Sequence, residues 1–174
     1  MRARNKDTAR DAIHPSNVSE SAMNSRQRFS VDVSVFVIVR EGTRILFLRR
    51  AHTGWKDGFF SLPAGGHDGN ETLAQAAARE LREETGLIAA ESELALAHLL
   101  HCRVGEKDSE WLGAFFEARI WRGVPELMEP GKHDRLEWLD PRNLPAHTIP
   151  YVAQALEAVS RGVQFSGYGW PAPA

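Results

Sequence analysis

Apolar residues recur along positions 31–39 of this chain with the period of a β-strand. Every odd position from Val31 to Val39 is a valine, and Phe36 and Ile38 stand between them. Apolar side chains on both faces predict a strand that is buried on both sides. The segment 41–43 is typical of a hairpin turn, so Ile45–Arg49 is expected to pair with this strand.

A helical period follows the strands, after a segment rich in glycine. Residues Thr72–Thr85 consist largely of Ala, Leu, Glu, Arg and Gln, which favour helices, and Gly86 stands where a glycine commonly ends one. The preceding glycines predict a flexible loop that leads directly into this helix; they are Gly65, Gly66 and Gly69.

The second half of the chain repeats the order of strands and then a helix. Leu94–Val104 and Trp111–Trp121 are expected to be strands joined by a charged turn over Gly105–Ser109. Pro150 is well placed to begin a helix that runs to Ser160. This order predicts an α/β fold with a mixed sheet.

The length and composition place this fold in a single domain. The chain has 174 residues, of which 43% are hydrophobic and 25% are charged, as in an ordinary globular protein. Residues 1–29 are polar without a sustained apolar period, so we expect a disordered or loosely packed extension there. The domain is expected to cover residues 30–165, followed by a C-terminal tail over 166–174.

Charge and cysteine content exclude several classes of protein. There are 21 Lys and Arg residues against 23 Asp and Glu residues, so no stable nucleic-acid binding is expected. The single cysteine, Cys102, excludes an intramolecular disulfide and favours a reducing, cytoplasmic location. The longest apolar run, Val35–Val39, is too short to cross a membrane.

The helix Thr72–Thr85 carries a cluster of carboxylates. At about 100° per residue, Glu80, Glu83 and Glu84 lie within an arc about 100° wide. Like charges so close repel one another, and Mg²⁺ or Mn²⁺ would offset the repulsion. A solvated acidic face is the alternative interpretation. A glycine-rich loop before the helix favours the metal, because its backbone N–H groups can bind phosphate.

These residues resemble the Nudix box, the sequence motif of the Nudix hydrolases. The motif requires a glycine, a glutamate six positions later, and an Arg-Glu-rich segment after seven further residues. Here those elements are Gly65, Glu71 and the run Arg79-Glu80-Leu81-Arg82-Glu83-Glu84-Thr85-Gly86-Leu87. The segment from Trp121 to Glu129 and the run 136–138 also resemble MutT-type members.

The resemblance implies the Nudix fold, a mixed β-sheet sandwiched between α-helices. It also implies Mg²⁺-dependent hydrolysis of a nucleoside diphosphate linked to another group, with Mn²⁺ as a further candidate ion. The implied metal ligands are Glu80, Glu83, Glu84, Glu129 and the backbone around Gly65. Arg79 would orient the glutamates, and Glu71 would brace the loop.

The same resemblance suggests roles around the bound substrate. Either Glu83 or Glu129 is expected to be the general base. Arg50 would contact a substrate phosphate, while Arg49 should face the other way, since strand side chains alternate. Trp138 is expected to stack on the base of the substrate. Three other aromatic residues are alternatives for that stacking: Trp55, Phe59 and Trp111.

Three classes of function remain open at this point. MutT-type members release a nucleoside monophosphate and pyrophosphate from a nucleoside triphosphate, and this outcome is the leading expectation. The residues that mark hydrolases of ADP-ribose or dinucleotide polyphosphates are absent, since residues 102–105 are Cys, Arg, Val and Gly. A non-catalytic nucleotide-binding module is the other alternative, although such modules commonly lack a box glutamate. Nudix enzymes are often homodimers, so a homodimer is also an expectation.

Overall fold

The computed structural model describes residues 29–104 and 109–171. Within these residues, two α-helices accompany eight strands: α1 covers Leu73–Thr85 and α2 covers Pro150–Ser160. The strands in chain order are β1 (Asp32–Glu41), β2 (Arg44–Arg50), β3 (Phe60–Ser61), β4 (Ala64–Gly66), β5 (Leu94–Val104), β6 (Ser109–Ala118), β7 (His133–Leu139) and β8 (Phe165–Tyr168). A short 3₁₀ helix, Glu91–Glu93, precedes β5.

The strands form one mixed sheet around β1. The order is β3-β2-β1-β6-β5-β8, with β4 paired to β1 and β7 paired to β2. Strands β1 and β6 are parallel, as are β5 and β8, while the other pairs are antiparallel. The two ends of β1 have different neighbours: Arg40 pairs with Ile45 of β2, whereas Val35 pairs with Gly65 of β4. This arrangement places the glycine-rich strand β4 beside the start of β1.

Each face of the sheet carries its own apolar core, covered by one helix. Val35, Val37 and Val39 of β1 pack with Ala77 and Leu81 of α1. The other face of β1 packs towards α2 through a second cluster, which includes Phe36, Ile38, Phe115, Val152 and Leu156. The mixed sheet between helices and the doubly buried first strand are therefore confirmed.

Helix α1 has a defined signal at each end, of which the sequence analysis predicted the terminal Gly86. The Thr72 hydroxyl accepts a hydrogen bond from the Gln75 N–H at 3.1 Å, and the Gln75 side chain accepts one from the Thr72 N–H at 2.8 Å. This reciprocal pair fixes the start of the helix. Gly86 has a φ of 71°, and its N–H donates to the Arg82 carbonyl, which ends the helix.

Several sequence-based boundaries differ from the structure. Strand β6 ends at Ala118 rather than at Trp121, and strand β7 was not predicted. Strand β8 (Phe165–Tyr168) pairs with β5, so the sheet extends past residue 165 into the segment 166–174 that was expected to be a tail. The turn over residues 105–108 and the extension over residues 1–28 lie outside the described residues. Among the helices that the structure describes, none is long and apolar enough to cross a membrane.

Candidate active site

The last turn of α1 places a buried carboxylate against the glycine-rich strand. Glu84 lies on the same helix face as Leu81 and has only 5% of its surface exposed. Its Oε2 atom accepts a hydrogen bond of 2.8 Å from the Ala64 N–H of β4. A buried carboxylate needs such partners, because burial removes its hydration. The sequence placed Glu84 in the carboxylate arc of the helix, and the structure buries it there.

A loop between β6 and β7 is attached to the end of α1 by backbone hydrogen bonds. The N–H groups of Glu126 and Met128 donate to the carbonyls of Thr85 and Glu84 at 2.9 Å and 3.2 Å. Further along, the His133 N–H donates to the Glu129 carbonyl at 3.0 Å and closes a tight turn. These contacts bring the side chains of Glu129 and His133 to Glu84, across more than forty residues of sequence.

Glu84, Glu129 and His133 form a cluster of potential metal ligands. One donor atom from each side chain lies within 4.8 Å of the other two. The Nε2 atom of His133 is 3.7 Å from Glu84 Oε1, which is too long for a hydrogen bond. Two carboxylates and an imidazole are suitable ligands for a divalent cation. The donor set and its spacing therefore fit the cation that the sequence motif implies.

Burial and mutual repulsion shift the ionisation of these groups. Burial raises the pKa of Glu84 to about 8, and the neighbouring carboxylates of Glu80 and Glu129 add to this effect. Burial also raises the pKa of Glu80. The pKa of His133 falls to about 4, mainly because of burial and also because of the positive charge of Arg50. The cluster is therefore costly to charge fully unless a cation is present.

Arg79 joins the remaining box glutamates to the loop before the helix. Its Nη2 atom donates to Glu71 Oε1 at 2.8 Å and to the Gly66 carbonyl at 3.0 Å. Its Nη1 atom lies 2.6 Å from Glu80 Oε1 and 3.4 Å from Glu83 Oε2. One guanidinium thus fixes three carboxylates and the glycine-rich segment relative to one another.

The box glutamates differ in their surroundings. Glu80 is largely buried and its carboxylate lies directly against Gly65, where a Cβ atom would collide with it. Glu83, by contrast, has 46% of its side chain exposed. Glu83 does not belong to the group of donor atoms around Glu84. The structure therefore brings Glu84 and Glu129 together, places Glu80 beside the glycine loop and leaves Glu83 facing solvent.

A cavity of about 160 Å³ adjoins the glycine-rich strand on the side of Arg50. Its lining includes Arg50, Gly65, Gly66 and Tyr151. The Arg50 side chain donates to the Trp55 carbonyl and to the Thr53 hydroxyl, both at 3.0 Å, and these bonds fix its position. Arg49 points elsewhere and forms an ion pair of 2.7 Å with Asp134, as strand alternation predicts.

A second cavity, of about 310 Å³, shares part of its lining with the first. The residues common to both are Ser34, Phe36 and Tyr151, and the second cavity adds the aromatic rings of Trp55 and Trp111. The rings of Trp111 and Tyr151 meet edge to face at 5.1 Å. The two cavities are thus adjacent. The first contains Arg50 beside the glycine-rich strand, and the second is an aromatic cleft.

Trp138 does not line either of these cavities. Its ring lies 6.1 Å from that of Trp121 and packs against the α1 core. Trp138 is only partly buried in this position, and the expectation that it stacks on a bound base stays a prediction. Of the alternatives, Trp55 and Trp111 are the residues that reach the cleft.

His133 of the cluster and Lys132 beside it were missed by the sequence analysis. His133 comes four positions after Glu129, and only the spacing Glu-Pro-Gly-Lys-His indicates a turn that could bring the two together. Lys132 lies in the same turn, and its Nζ atom is 2.9 Å from Glu129 Oε1. Its positive charge is also stabilised by Glu84 and Glu80.

We expect Lys132→Gln to tighten the binding of a divalent cation by about twofold to fivefold. The ammonium group competes for the Glu129 carboxylate, and an exposed pair of this kind contributes little energy itself. Titration of the metal-free protein with Mn²⁺ measures the change. Lys56→Gln is the matched control. It removes the same charge from the chain, and the Lys56 ammonium lies over the Phe59 ring. Weaker binding by the Lys132 variant would contradict the expectation.

A second prediction concerns the metal-free protein. The pKa of Glu84 is about 8 in the folded state against an ordinary value of 4.5, so the stabilisation that it gives is complete below pH 4.5 and is lost as the pH rises towards 8. The difference in the free energy of unfolding between the wild-type protein and Glu84→Gln should therefore fall by about 3 kcal/mol between pH 5.5 and 8. Urea denaturation in a chelator measures both proteins.

The comparison with Glu84→Gln isolates the contribution of this carboxyl group to the pH dependence of the free energy of unfolding. His133 has the opposite effect, since a pKa of about 4 means that its contribution is lost as the pH falls from its ordinary 6.5 towards 4. That contribution is common to both proteins and cancels to first order. If the difference between the two proteins stays constant with pH, the shift assigned to Glu84 is wrong.

The fold and the site together define a class of protein. The class is an α/β sandwich in which clustered carboxylates at the end of one helix contact a glycine-rich strand, and that strand also lines a cavity. The NUDIX domain family profile matches residues 28–159. The chain belongs to the NUDIX domain family, the family of the Nudix hydrolases.

Individual relatives agree with this assignment. A stretch of 56 residues is 41% identical to the ADP-ribose pyrophosphatase of Methanocaldococcus jannaschii, and it covers 32% of each chain. The crystal structure of a MutT NUDIX hydrolase from Burkholderia pseudomallei superposes with a TM-score of 0.67 at 25% identity, over 74% of this chain and 98% of that one.

A second solved structure with this fold is that of a longer protein. It is the bifunctional NMN adenylyltransferase/ADP ribose pyrophosphatase of Francisella tularensis, described as complexed with AMP and a Mn ion. The TM-score is 0.58 at 21% identity, over 76% of this chain and 42% of that one. At this identity the match concerns the fold alone.

Proposed function

We propose that this Nudix hydrolase is a divalent-cation-dependent pyrophosphohydrolase that cleaves a nucleoside triphosphate into a nucleoside monophosphate and pyrophosphate. The observation that carries the proposal is the buried Glu84 carboxylate. It is bonded to Ala64 of β4 and grouped with Glu129 and His133, and the same strand lines the Arg50 cavity. The cation would be Mg²⁺ or Mn²⁺, held by Glu84, Glu129 and Glu80.

The chain's own residues would position the substrate in the two cavities. Arg50 donates two N–H groups to its own loop and retains others for phosphate oxygens. The backbone N–H groups of the glycine-rich segment would add further donors. The cleft between Trp55 and Trp111 offers flat apolar surfaces for a base.

The bound cation would neutralise charge on the diphosphate and increase the acidity of an attacking water. Glu83 is the better candidate for the proton acceptor, because its carboxylate is exposed and stands apart from the ligand cluster. Glu129 is the alternative. Arg79 orients both Glu80 and Glu83 and does not contact the reacting atoms in this proposal.

The local match to an ADP-ribose pyrophosphatase favours a second candidate substrate, ADP-ribose. Both reactions release a nucleoside monophosphate, so the second product distinguishes them. A non-catalytic nucleotide-binding module is the third possibility. The retention of every box glutamate argues against it.

One assay compares these functions directly. The protein is incubated with Mg²⁺ and separately with Mn²⁺, in the presence of nucleoside triphosphates, ADP-ribose, diadenosine polyphosphates or nucleotide sugars, and the products are identified. We expect a nucleoside monophosphate and pyrophosphate from a triphosphate. Orthophosphate and a nucleoside diphosphate as the only products would contradict the proposed cleavage. Nucleotide binding without turnover of any compound would indicate the binding module.

A further inference from the structure

His133 is a buried histidine whose ring lacks the partners that such a ring normally has. Only 4% of the residue is exposed. Its Nδ1 atom is buried without a hydrogen-bond partner among the described residues. Leaving a buried polar atom unpaired costs about 1–3 kcal/mol, so an unpaired group of this kind calls for an explanation.

His98 shows how the same fold treats a purely structural histidine. That residue is fully buried, and its Nδ1 and Nε2 atoms lie 2.8 Å from the Val163 carbonyl and 2.9 Å from the Ser166 hydroxyl. Both ring nitrogens of His98 are therefore satisfied by the protein. His133 differs, because its Nδ1 atom has no partner in the part of the chain that the structure describes and its Nε2 atom is 3.7 Å from Glu84 Oε1, beyond hydrogen-bond distance.

Two features of the backbone direct the His133 ring into this position. The turn closed by the His133 N–H and the Glu129 carbonyl places these two side chains on one side of the loop. The pairing of β7 with β2 is irregular at Arg49 and Arg50, the latter being the partner of His133. Such a bulge changes the direction of the side chains next to it.

We propose that His133 is a ligand of the divalent cation held by Glu84 and Glu129, and that its nitrogen makes the site prefer a first-row transition ion over Mg²⁺. The inference rests on the cation site of the proposed function. The three donor atoms lie within 4.8 Å of one another, close to the span of about 4 Å between opposite ligands of one small cation. Histidine was no part of the motif that suggested the site.

The preference follows from the chemistry of the donor. Mg²⁺ binds almost entirely through oxygen and gives up its water reluctantly. Imidazole nitrogen suits transition ions, and carboxylates accept Mn²⁺ as readily as Mg²⁺. A site with two carboxylates and one imidazole therefore discriminates against Mg²⁺ in a way that a purely carboxylate site does not.

The test uses Mn²⁺ as the probe and pulsed electron paramagnetic resonance as the readout. The wild-type protein is prepared with natural and with ¹⁵N-labelled histidine, and each sample receives Mn²⁺ after treatment with a chelator. We expect modulation of the Mn²⁺ signal by a histidine nitrogen, with the frequency changing on ¹⁵N labelling. Bound Mn²⁺ without this modulation would overturn the proposal, and this experiment needs no variant.

A variant measures the effect on selectivity. In His133→Gln the nitrogen modulation should disappear, and the ratio of the Mn²⁺ to the Mg²⁺ association constant should fall at least about fivefold, because an amide oxygen replaces the nitrogen. His147→Gln, at an exposed histidine, is the matched control and should leave both unchanged. An unchanged ratio in the folded His133 variant would also overturn the proposal.

The outcomes separate this inference from the proposed function. Metal-dependent turnover by the wild-type protein without nitrogen modulation would exclude His133 as a ligand and leave the hydrolase intact. If Mn²⁺ does not bind and no nucleotide is cleaved with either ion, both proposals fail.

Discussion

Glu84→Gln is expected to lower kcat/KM of the metal-dependent hydrolysis at least a hundredfold while the protein remains folded. Glutamine keeps the shape of the side chain, and its amide oxygen can still accept the hydrogen bond from the Ala64 N–H. The substitution removes a negative charge from the centre of the ligand cluster, and such electrostatic contributions to catalysis are typically worth about 10²–10³ in rate. Steady-state kinetics with Mg²⁺ and with Mn²⁺ measures the loss.

The control for this experiment lies on the other helix. Glu157 of α2 has an exposed side chain that pairs only with Arg161, at 3.4 Å, among the described residues. Glu157→Gln removes the same charge from the chain and should leave activity within about twofold, since an exposed pair contributes little. Activity of Glu84→Gln close to that of the wild type would mean that the buried carboxylate does not hold the ion.

Gly65→Ala is expected to reduce turnover at least tenfold, with a loss of only about 1–2 kcal/mol in the free energy of unfolding. A Cβ atom at this position would occupy the space of the Glu80 carboxylate. That carboxylate ends a flexible side chain, so it can move aside and the chain can still fold. Moving would, however, break its 2.6 Å contact with Arg79 and displace a candidate metal ligand.

Gly66→Ala provides the matched comparison one residue later. A Cβ atom there meets nothing within 4 Å, and the backbone of Gly66 has no positive φ that would favour glycine. This variant should therefore bind Mn²⁺ as the wild type does, whereas Gly65→Ala should bind it more weakly. Equal Mn²⁺ affinity of the two variants would show that close contact between Gly65 and Glu80 is unimportant for the site.

Local sequence patterns predicted the parts of the fold that depend on local rules. The odd valines of β1 identified a strand buried on both sides, and both faces are indeed covered. The helix-favouring composition of residues 72–85 and the terminal Gly86 delimited α1 to within one residue. These elements were predictable because burial and end signals coincide in the same stretch of chain.

Strands β7 and β8 were not predictable from such patterns. The sequence of β7, HDRLEWL, alternates poorly and has one fully buried residue, the polar His133. The sequence of β8 is FSGY, and its exposed Phe165 contributes no buried side chain. Both strands are added to edges that β2 and β5 provide, so tertiary pairing rather than propensity determines them.

The candidate site shows the same division. The motif supplied the carboxylates of α1 together with Arg79, because their spacing on one helix is a local property. The motif did not indicate which of them is buried, since that depends on the contact between Glu84 and β4. The packing of Trp138 against the α1 core and the approach of His133 to Glu84 likewise depend on the pairing of β7 with β2.

The attachment of the Glu126–His133 loop to the end of α1 has a consequence for local opening of the chain. Backbone hydrogen bonds join this loop to Thr85 and Glu84, and an ion shared by Glu84 and Glu129 would act as a reversible cross-link between the same two segments. Opening the loop would then require release of the ion, so its amide protons should exchange with deuterium more slowly as the cation concentration rises above the dissociation constant.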